Sequence, residues 1–96
     1  MAKAFSVVTY TSISDPDRFA AYAQIAGPAI EAEGGRFIAR GEPAKILEGA
    51  NGNRVVVIEF ESVDAAILAY QSAGYQKALA ALGEGAIRDY RIVPGC

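Results

Sequence analysis

Arg54-Val55-Val56-Val57-Ile58-Glu59-Phe60 is a run of β-branched and aromatic residues with one carboxylate inside it. Side chains of this kind favour extended backbone. A nearly continuous apolar run, without the polar alternation of a half-solvated strand, reads as a strand covered on both faces. Glu59 breaks that rule. A carboxylate in such a strand must be paired, hydrogen-bonded or turned toward a wet cavity, because burying a lone charge is costly. Upstream, Gly34-Gly35-Arg36-Phe37-Ile38-Ala39-Arg40-Gly41 is a second apolar strand carrying two arginines. Strict alternation places Val56, Ile58 and Phe60 on one face of the first run and Val55, Val57 and Glu59 on the other. It likewise sets Arg36, Ile38 and Arg40 against Phe37 and Ala39. The purely apolar sets are expected under helices, which leaves Glu59, Arg36 and Arg40 on the opposite side of the sheet.

The elements around these strands follow from local signals. Lys3 to Thr11 is rich in β-formers and reads as the first strand. Ser14-Asp15-Pro16-Asp17 is a helix start, with a capping residue followed by proline in the first turn. Gly27-Pro28 interrupts the helical spacing and predicts a kink, or two short helices. Gly34-Gly35 ends the helix. Asn51-Gly52 is a hairpin signal, and a two-residue turn there would set Leu47 opposite Val56 and Ala44 opposite Glu59. Ser62 caps a second helix, interrupted at Ser72-Ala73-Gly74. Ile87 to Val93 alternates as the last strand, with Arg88, Tyr90 and Ile92 on one face and Asp89 and Arg91 on the other.

The order β-α-β-β-α-β is the ferredoxin-like α+β plan, an antiparallel sheet with its helices on one face. Residues 1–96 are expected to form one domain of this kind. Two features point to a homodimer. The short hairpin register leaves Arg36 to Arg40 without a full partner, and the sheet face away from the helices needs a cover that a second copy can supply.

Composition narrows the function. A net charge of −2 gives no basic footprint, so no nucleic acid partner is expected. No apolar run approaches the roughly 20 residues that cross a bilayer, and the N-terminus lacks the pattern of a secretion signal. No membrane partner is expected, and a cytoplasmic location is. The single cysteine, Cys96, cannot close an internal disulfide. Histidine is absent, which removes imidazole bases, histidine-ligated metal or haem and Ser-His-Asp triads. No cofactor is expected.

Two readings of the charged strand residues stay open. In one, Arg36 and Arg40 hold an anionic substrate in a cavity between two sheets, with Glu59 as a catalytic base. In the other, Glu59 pairs with Arg36 or Arg40 as a structural ion pair. Tyr70 and Tyr75 flank the helix break and are further substrate-binding candidates, although both rings could simply pack on the sheet with their hydroxyls at the surface.

The segments Gly34 to Gly41, Leu47-Glu48-Gly49, Arg54 to Phe60 and Tyr70-Gln71-Ser72-Ala73-Gly74-Tyr75-Gln76 together resemble the bacterial domain of unknown function 1330 family, within the dimeric α+β barrel superfamily. Ala73-Gly74 departs from the proline and acid common there. The resemblance implies a ferredoxin-like subunit that dimerises face to face around a small-molecule cavity. It names no reaction. The superfamily includes cofactor-independent monooxygenases, lactone isomerases, haem enzymes and ligand-sensing domains, and the missing histidine argues against the haem branch. The functional expectation is therefore a ligand cavity with isomerase or monooxygenase-like chemistry on an acidic or aromatic metabolite, against a non-catalytic binding or structural dimer module.

Overall fold

Residues 3–96 are described in a computed structural model. Their elements run β1 (Ala4–Ile13), α1 (Pro16–Ala32), β2 (Arg36–Gly41), β3 (Val55–Phe60), α2 (Val63–Gln71), α3 (Ala73–Leu82) and β4 (Ala86–Pro94). The strands form one antiparallel sheet in the order β2-β3-β1-β4. This is the ferredoxin-like fold anticipated from the sequence. Among the described residues no helix is long and apolar enough to cross a membrane.

The helices lie on one face, and the core is the seam between them and the sheet. Val8 and Tyr10 of β1 and Val56, Ile58 and Phe60 of β3 meet Tyr22, Ala26 and Ile30 of α1 in one buried cluster. Ala66 and Ala69 of α2, with Tyr75, Ala78 and Leu82 of α3, complete it. The spacing Tyr22, Ala26, Ile30 is one stripe of a helix. Asp15 caps α1 by accepting from the Arg18 amide at 3.1 Å, with Pro16 in the first turn. The helix then runs unbroken through Pro28, so the alternative of two short helices is not what forms. At its end the Gly34 amide donates to Glu31 O and the Gly35 amide to Ile30 O. That is a Schellman closure, and Gly34 adopts the φ of +88° it requires.

Two expectations about β2 are corrected. The predicted Asn51-Gly52 hairpin does not form: residues 42–54 contain no strand. The asparagine side chains do other work there. Asn51 Nδ2 donates to Tyr10 O at 3.2 Å and Asn53 Nδ2 to Thr11 O at 2.7 Å, while the Asn53 amide donates to Asn51 Oδ1 at 2.9 Å. Side-chain amides thus fasten the loop to the end of β1 and displace the hairpin ladder. Released from that register, Arg36 pairs with Glu59, Phe37 with Ile58, Ala39 with Val57 and Arg40 with Val56. Segment 36–40 therefore has its full partner in β3, and the unpaired-edge argument for a dimer falls.

The second correction concerns faces. The pairing shifts between Phe37 and Ala39, so Ile38 is the extra residue of a β-bulge. Beyond a bulge the alternation inverts. Arg36 stays on the open face with Glu59, but Arg40 joins Phe37, Val56 and Ile58 on the helix side. Strict alternation had put both arginines together; one inserted residue separates them.

Gly35 is buried where the chain leaves α1 for β2. A Cβ there would overlap Ile30 Cγ2 and lie 2.9 Å from the Phe60 ring. Gly35→Ala is expected to destabilise the fold by about 1–3 kcal/mol through overpacking, measured as a lower urea midpoint; an unchanged midpoint would show that the Ile30–Phe60 contact yields freely.

Candidate functional site

The register of β4 decides what lies beneath the helices. Tyr10 pairs with Arg88, Val8 with Tyr90 and Ser6 with Ile92. Tyr10, Val8 and Ser6 point to the core and are buried, so Arg88 and Tyr90 share the helix-covered face. From above, α1 lowers Tyr22 onto the same spot. Tyr75 arrives from the first turn of α3, where Ser72 ends one helix and starts the next. Ser72 Oγ donates to Ala69 O at 2.8 Å and accepts from the Tyr75 amide at 3.2 Å. Tyr75 is 0 % exposed.

These side chains converge on one guanidinium. Arg88 Nη1 donates to the Tyr22 hydroxyl at 2.8 Å and to the Tyr10 hydroxyl at 3.3 Å, and Nη2 donates to the Tyr75 hydroxyl at 2.9 Å. The Tyr22 and Tyr75 hydroxyls are 2.7 Å apart and share a hydrogen bond. The guanidinium carbon also sits 4.7 Å from the Tyr22 ring centroid and 5.5 Å from that of Tyr90, within cation–π range.

A donor count exposes the character of the cluster. Arginine carries five N–H donors and no acceptor, and three of them are used here. Of the Tyr22 and Tyr75 hydroxyl protons only one can lie in their mutual bond. The Tyr10 hydroxyl accepts from Arg88, and its own proton has no acceptor among the described residues. The Tyr90 hydroxyl is buried without a hydrogen bond of ordinary geometry, and so is the neighbouring Ser6 hydroxyl, which lies near enough to interact with it. Among the described residues Arg88 is in none of the ion pairs, which are Lys3–Glu59, Arg18–Asp15 and Arg91–Asp89. The cluster has surplus donors, one full positive charge and no anion.

Electrostatics hold that state across the physiological range. Burial, then the neighbouring Tyr22, raises the Tyr10 and Tyr75 phenols above the ordinary tyrosine value, and burial does the same to Tyr90. For Arg88, burial works against the charged form, but the Tyr22 and Tyr75 hydroxyls outweigh it and hold the guanidinium above its ordinary value. The pocket therefore offers neutral phenols and a permanent cation.

A pocket opens over this cluster, between α1 and the sheet. Its lining includes the exposed Arg40 and the partly exposed Phe37 of β2, Arg54 from just before β3 and Phe19 from α1. Its interior has about 50 Å³ of free room. A buried water needs roughly 10–15 Å³ on this measure, so a few waters or one carboxylate head fit inside. No acidic, histidine, lysine or cysteine side chain lines it.

The residues singled out from the sequence divide accordingly. Tyr75 and Arg40 line the pocket. Tyr70 packs tilted against Tyr75 and edge-to-face against Tyr90, with ring centroids 5.2 and 5.0 Å away, and lines a separate groove with Ile67 and Ile92. Arg36 is exposed on the open face. Glu59 is on that face too, where its carboxylate lies 3.8 Å from Lys3 Nζ, so its ion-pair partner is Lys3 instead of either arginine. Glu59 and Arg40 do not meet. Sequence reasoning missed Arg88, Tyr22 and Tyr10 as a set. The available signal was Arg88 alternating with Tyr90 and Ile92 on the core face of β4, a half-buried charge as anomalous as Glu59.

The model of the family described as domain of unknown function (DUF1330) matches residues 3–96. The chain belongs to this family. Solved structures resemble the DUF1330 chain across almost its whole length. The RPA0582 protein of unknown function from Rhodopseudomonas palustris aligns at 22% identity and TM-score 0.73, covering 97% of this chain and 80% of its own. SnoaB, a cofactor-independent oxygenase from Streptomyces nogalater, aligns at 16% identity and TM-score 0.66, covering 96% and 91%. A putative antibiotic biosynthesis monooxygenase from Nitrosomonas europaea aligns at 12% identity and TM-score 0.62, covering 98% and 89%. At these identities the likeness is one of fold. Among functionally curated proteins there is no significant match.

The buried phenols make a pH prediction. A tyrosine whose folded pKa is raised favours folding fully below its unfolded value, near 10, and loses that contribution as pH rises toward the folded value. Absorbance at 295 nm is expected to show Tyr10, Tyr75 and Tyr90 resisting ionisation until the protein unfolds, with stability declining above about pH 10. Tyr75→Phe is expected to make that decline shallower. Five tyrosines titrating together near pH 10 in the folded protein would contradict the buried cluster.

Proposed function

We propose that this DUF1330 chain binds a small organic oxyanion, the carboxylate of an acid or the ionised oxygen of a phenol or enol, on Arg88 and the hydroxyls of Tyr10, Tyr22 and Tyr75. The supporting observation is the surplus of donors around a half-buried guanidinium with no acidic partner. A buried cation is costly until an anion or hydrogen-bond acceptors complete it. The aromatic lining suits an aromatic or unsaturated body behind the charged head. The same donors would stabilise negative charge developing on a substrate oxygen, as oxyanion holes do. With no proton acceptor lining the pocket near neutral pH, the reactions that fit are those of a substrate acidic enough to ionise on binding. Isomerisation through an enolate, with solvent water taking up and returning the proton, and oxygenation of an electron-rich anion by dioxygen, its proton already lost to water, both belong to that class.

4-Nitrophenol tests the oxyanion reading directly, because its ionised form absorbs near 400 nm. Binding is expected to lower its apparent pKa by about one unit, equivalent to about 1.4 kcal/mol of preference for the anion. Arg88→Met should abolish the shift, and Tyr22→Phe, which keeps the guanidinium, should reduce it. Folding of both variants is checked by circular dichroism. A shift that survives Arg88→Met in a folded protein would move the anion site elsewhere.

The open sheet face supports a homodimer as the working assembly. Phe5, Val7, Val55 and Val57 lie there only half-buried, and Val93 beside Phe5 is 43% exposed. Helices cover the other face alone, and a matching apolar face on a second copy would bury this one. On this reading Glu59 and Arg36 belong to the interface, and Arg40 belongs to the pocket. Sedimentation is expected to give a mass of twice 10.1 kDa, and Val57→Lys to give a folded monomer. Glu59→Gln should change dimer stability while leaving the nitrophenol shift intact. Loss of that shift on Glu59→Gln would return Glu59 to the site.

A further inference from the structure

We infer that the ligand carries two anionic groups, the second held at the mouth of the pocket by Arg40 and Arg54. This rests on the reading of the Arg88 pocket as an oxyanion site and names the class of molecule that site takes. Three arginines and no acid line the pocket, in a chain whose net charge is −2. Charges of one sign gathered at a low-dielectric cleft focus a field on it. One carboxylate neutralises Arg88 and leaves the two outer guanidinium groups unmatched.

The outer pair is built, not incidental. Arg40 lies over the Phe37 ring at 4.5 Å and Arg54 over the Phe19 ring at 5.6 Å. Each guanidinium is thus held on an aromatic face, an arrangement that restrains the group and leaves its N–H edge free for an anion. Neither is in an ion pair among the described residues. Arg40 reaches this position only because the Ile38 bulge inverts the strand.

The sheet sets the spacing. Arg54 O accepts from the Tyr10 amide, and Tyr10 pairs with Arg88. Arg54, the residue before β3, and Arg88 of β4 therefore lie on opposite sides of β1, two interstrand spacings or about 10 Å apart at the backbone, and both side chains line the pocket on the helix face. Arg40 is on the next strand out, opposite Val56. Inside, there is room for one anionic head. A body of about one ring between Phe19 and Phe37 would leave its second charge at the outer pair. The ligand class is a compact aromatic or unsaturated dianion, either a dicarboxylate or a carboxylate with an ionised hydroxyl.

Calorimetric titration of the full chain at low salt with benzoate and with isophthalate tests this. Isophthalate is expected to bind about tenfold more tightly, a difference of about 1.4 kcal/mol. In the Arg40→Gln, Arg54→Gln double variant the ratio of the two affinities should fall to about one. Equal affinities in the unaltered protein, with both lost in Arg88→Met, would overturn the dianion inference while sustaining the oxyanion site. A tenfold preference that persists in the double variant would also overturn it, by removing the outer pair from recognition. Binding of neither compound, or binding indifferent to Arg88→Met, would overturn the oxyanion reading and this inference together.

Discussion

A guanidinium on the helix-covered face of a sheet must be given hydrogen-bond acceptors by the protein or kept wet, and the arrangement around Arg88 answers that requirement. The β1–β4 register places it there, opposite Tyr10. Tyr22 from α1 and Tyr75 from α3 then supply oxygens at 2.8 and 2.9 Å. Each tyrosine buries a ring and presents a hydroxyl, so the same side chains fill the core and dress the charge. The Ser72 break between α2 and α3 follows from the same need, because it sets Tyr75 in the first turn of a new helix. The Schellman turn after α1, with Gly35 wedged against Ile30 and Phe60, fixes the helix that carries Tyr22. Phenols are weak acceptors beside carboxylates, however. They make Arg88 tolerable without neutralising it, and the pocket keeps that positive charge.

What such a site can do is bounded by what lines it. General-base catalysis requires a group whose pKa lies near the working pH, and burial moves the Tyr10, Tyr75 and Tyr90 phenols away from that range. Preorganised donors facing a developing charge require no such match. They act by being in place before the charge appears. A pocket of this kind favours substrates that already hold an acidic proton and lowers the cost of losing it. That places the burden of reactivity on the ligand.

The fold was legible because its signals were local and concordant: Val55 to Phe60 as a buried strand, Asp15-Pro16 as a helix start, Gly34-Gly35 as its end. The site was less so, for two physical reasons. Period-two alternation assigns faces only while the ladder is regular, and nothing in Arg36-Phe37-Ile38-Ala39-Arg40 marks Ile38 as the residue that bulges. The face of Arg40 was therefore inverted. Asn51-Gly52 sent a hairpin signal that is sound in isolation, but the asparagine amides bond to the Tyr10 and Thr11 carbonyls of a strand some forty residues away. That competition is tertiary and leaves no local trace. Arg88 is a different case. Its face was readable, and its meaning was not, because the hydroxyls that define it come from three separate elements.

The Ile38 bulge also ties the two faces of the sheet to one another. With regular alternation Arg36 and Arg40 would both stand on the open side beside Glu59, adding one more cation to a face that already carries Lys3, Arg36 and Arg91. One inserted residue leaves Arg36 there, paired across the ladder with Glu59, and delivers Arg40 to Phe37 and the pocket mouth. The open face keeps its apolar centre of Val7, Val55 and Val57, while the pocket gains a cation that no helix had to supply. β-Bulges recur where a strand must re-aim a side chain without losing its place in the sheet. Here the re-aimed side chain is Arg40, which the inserted residue turns from the open face to the pocket lining.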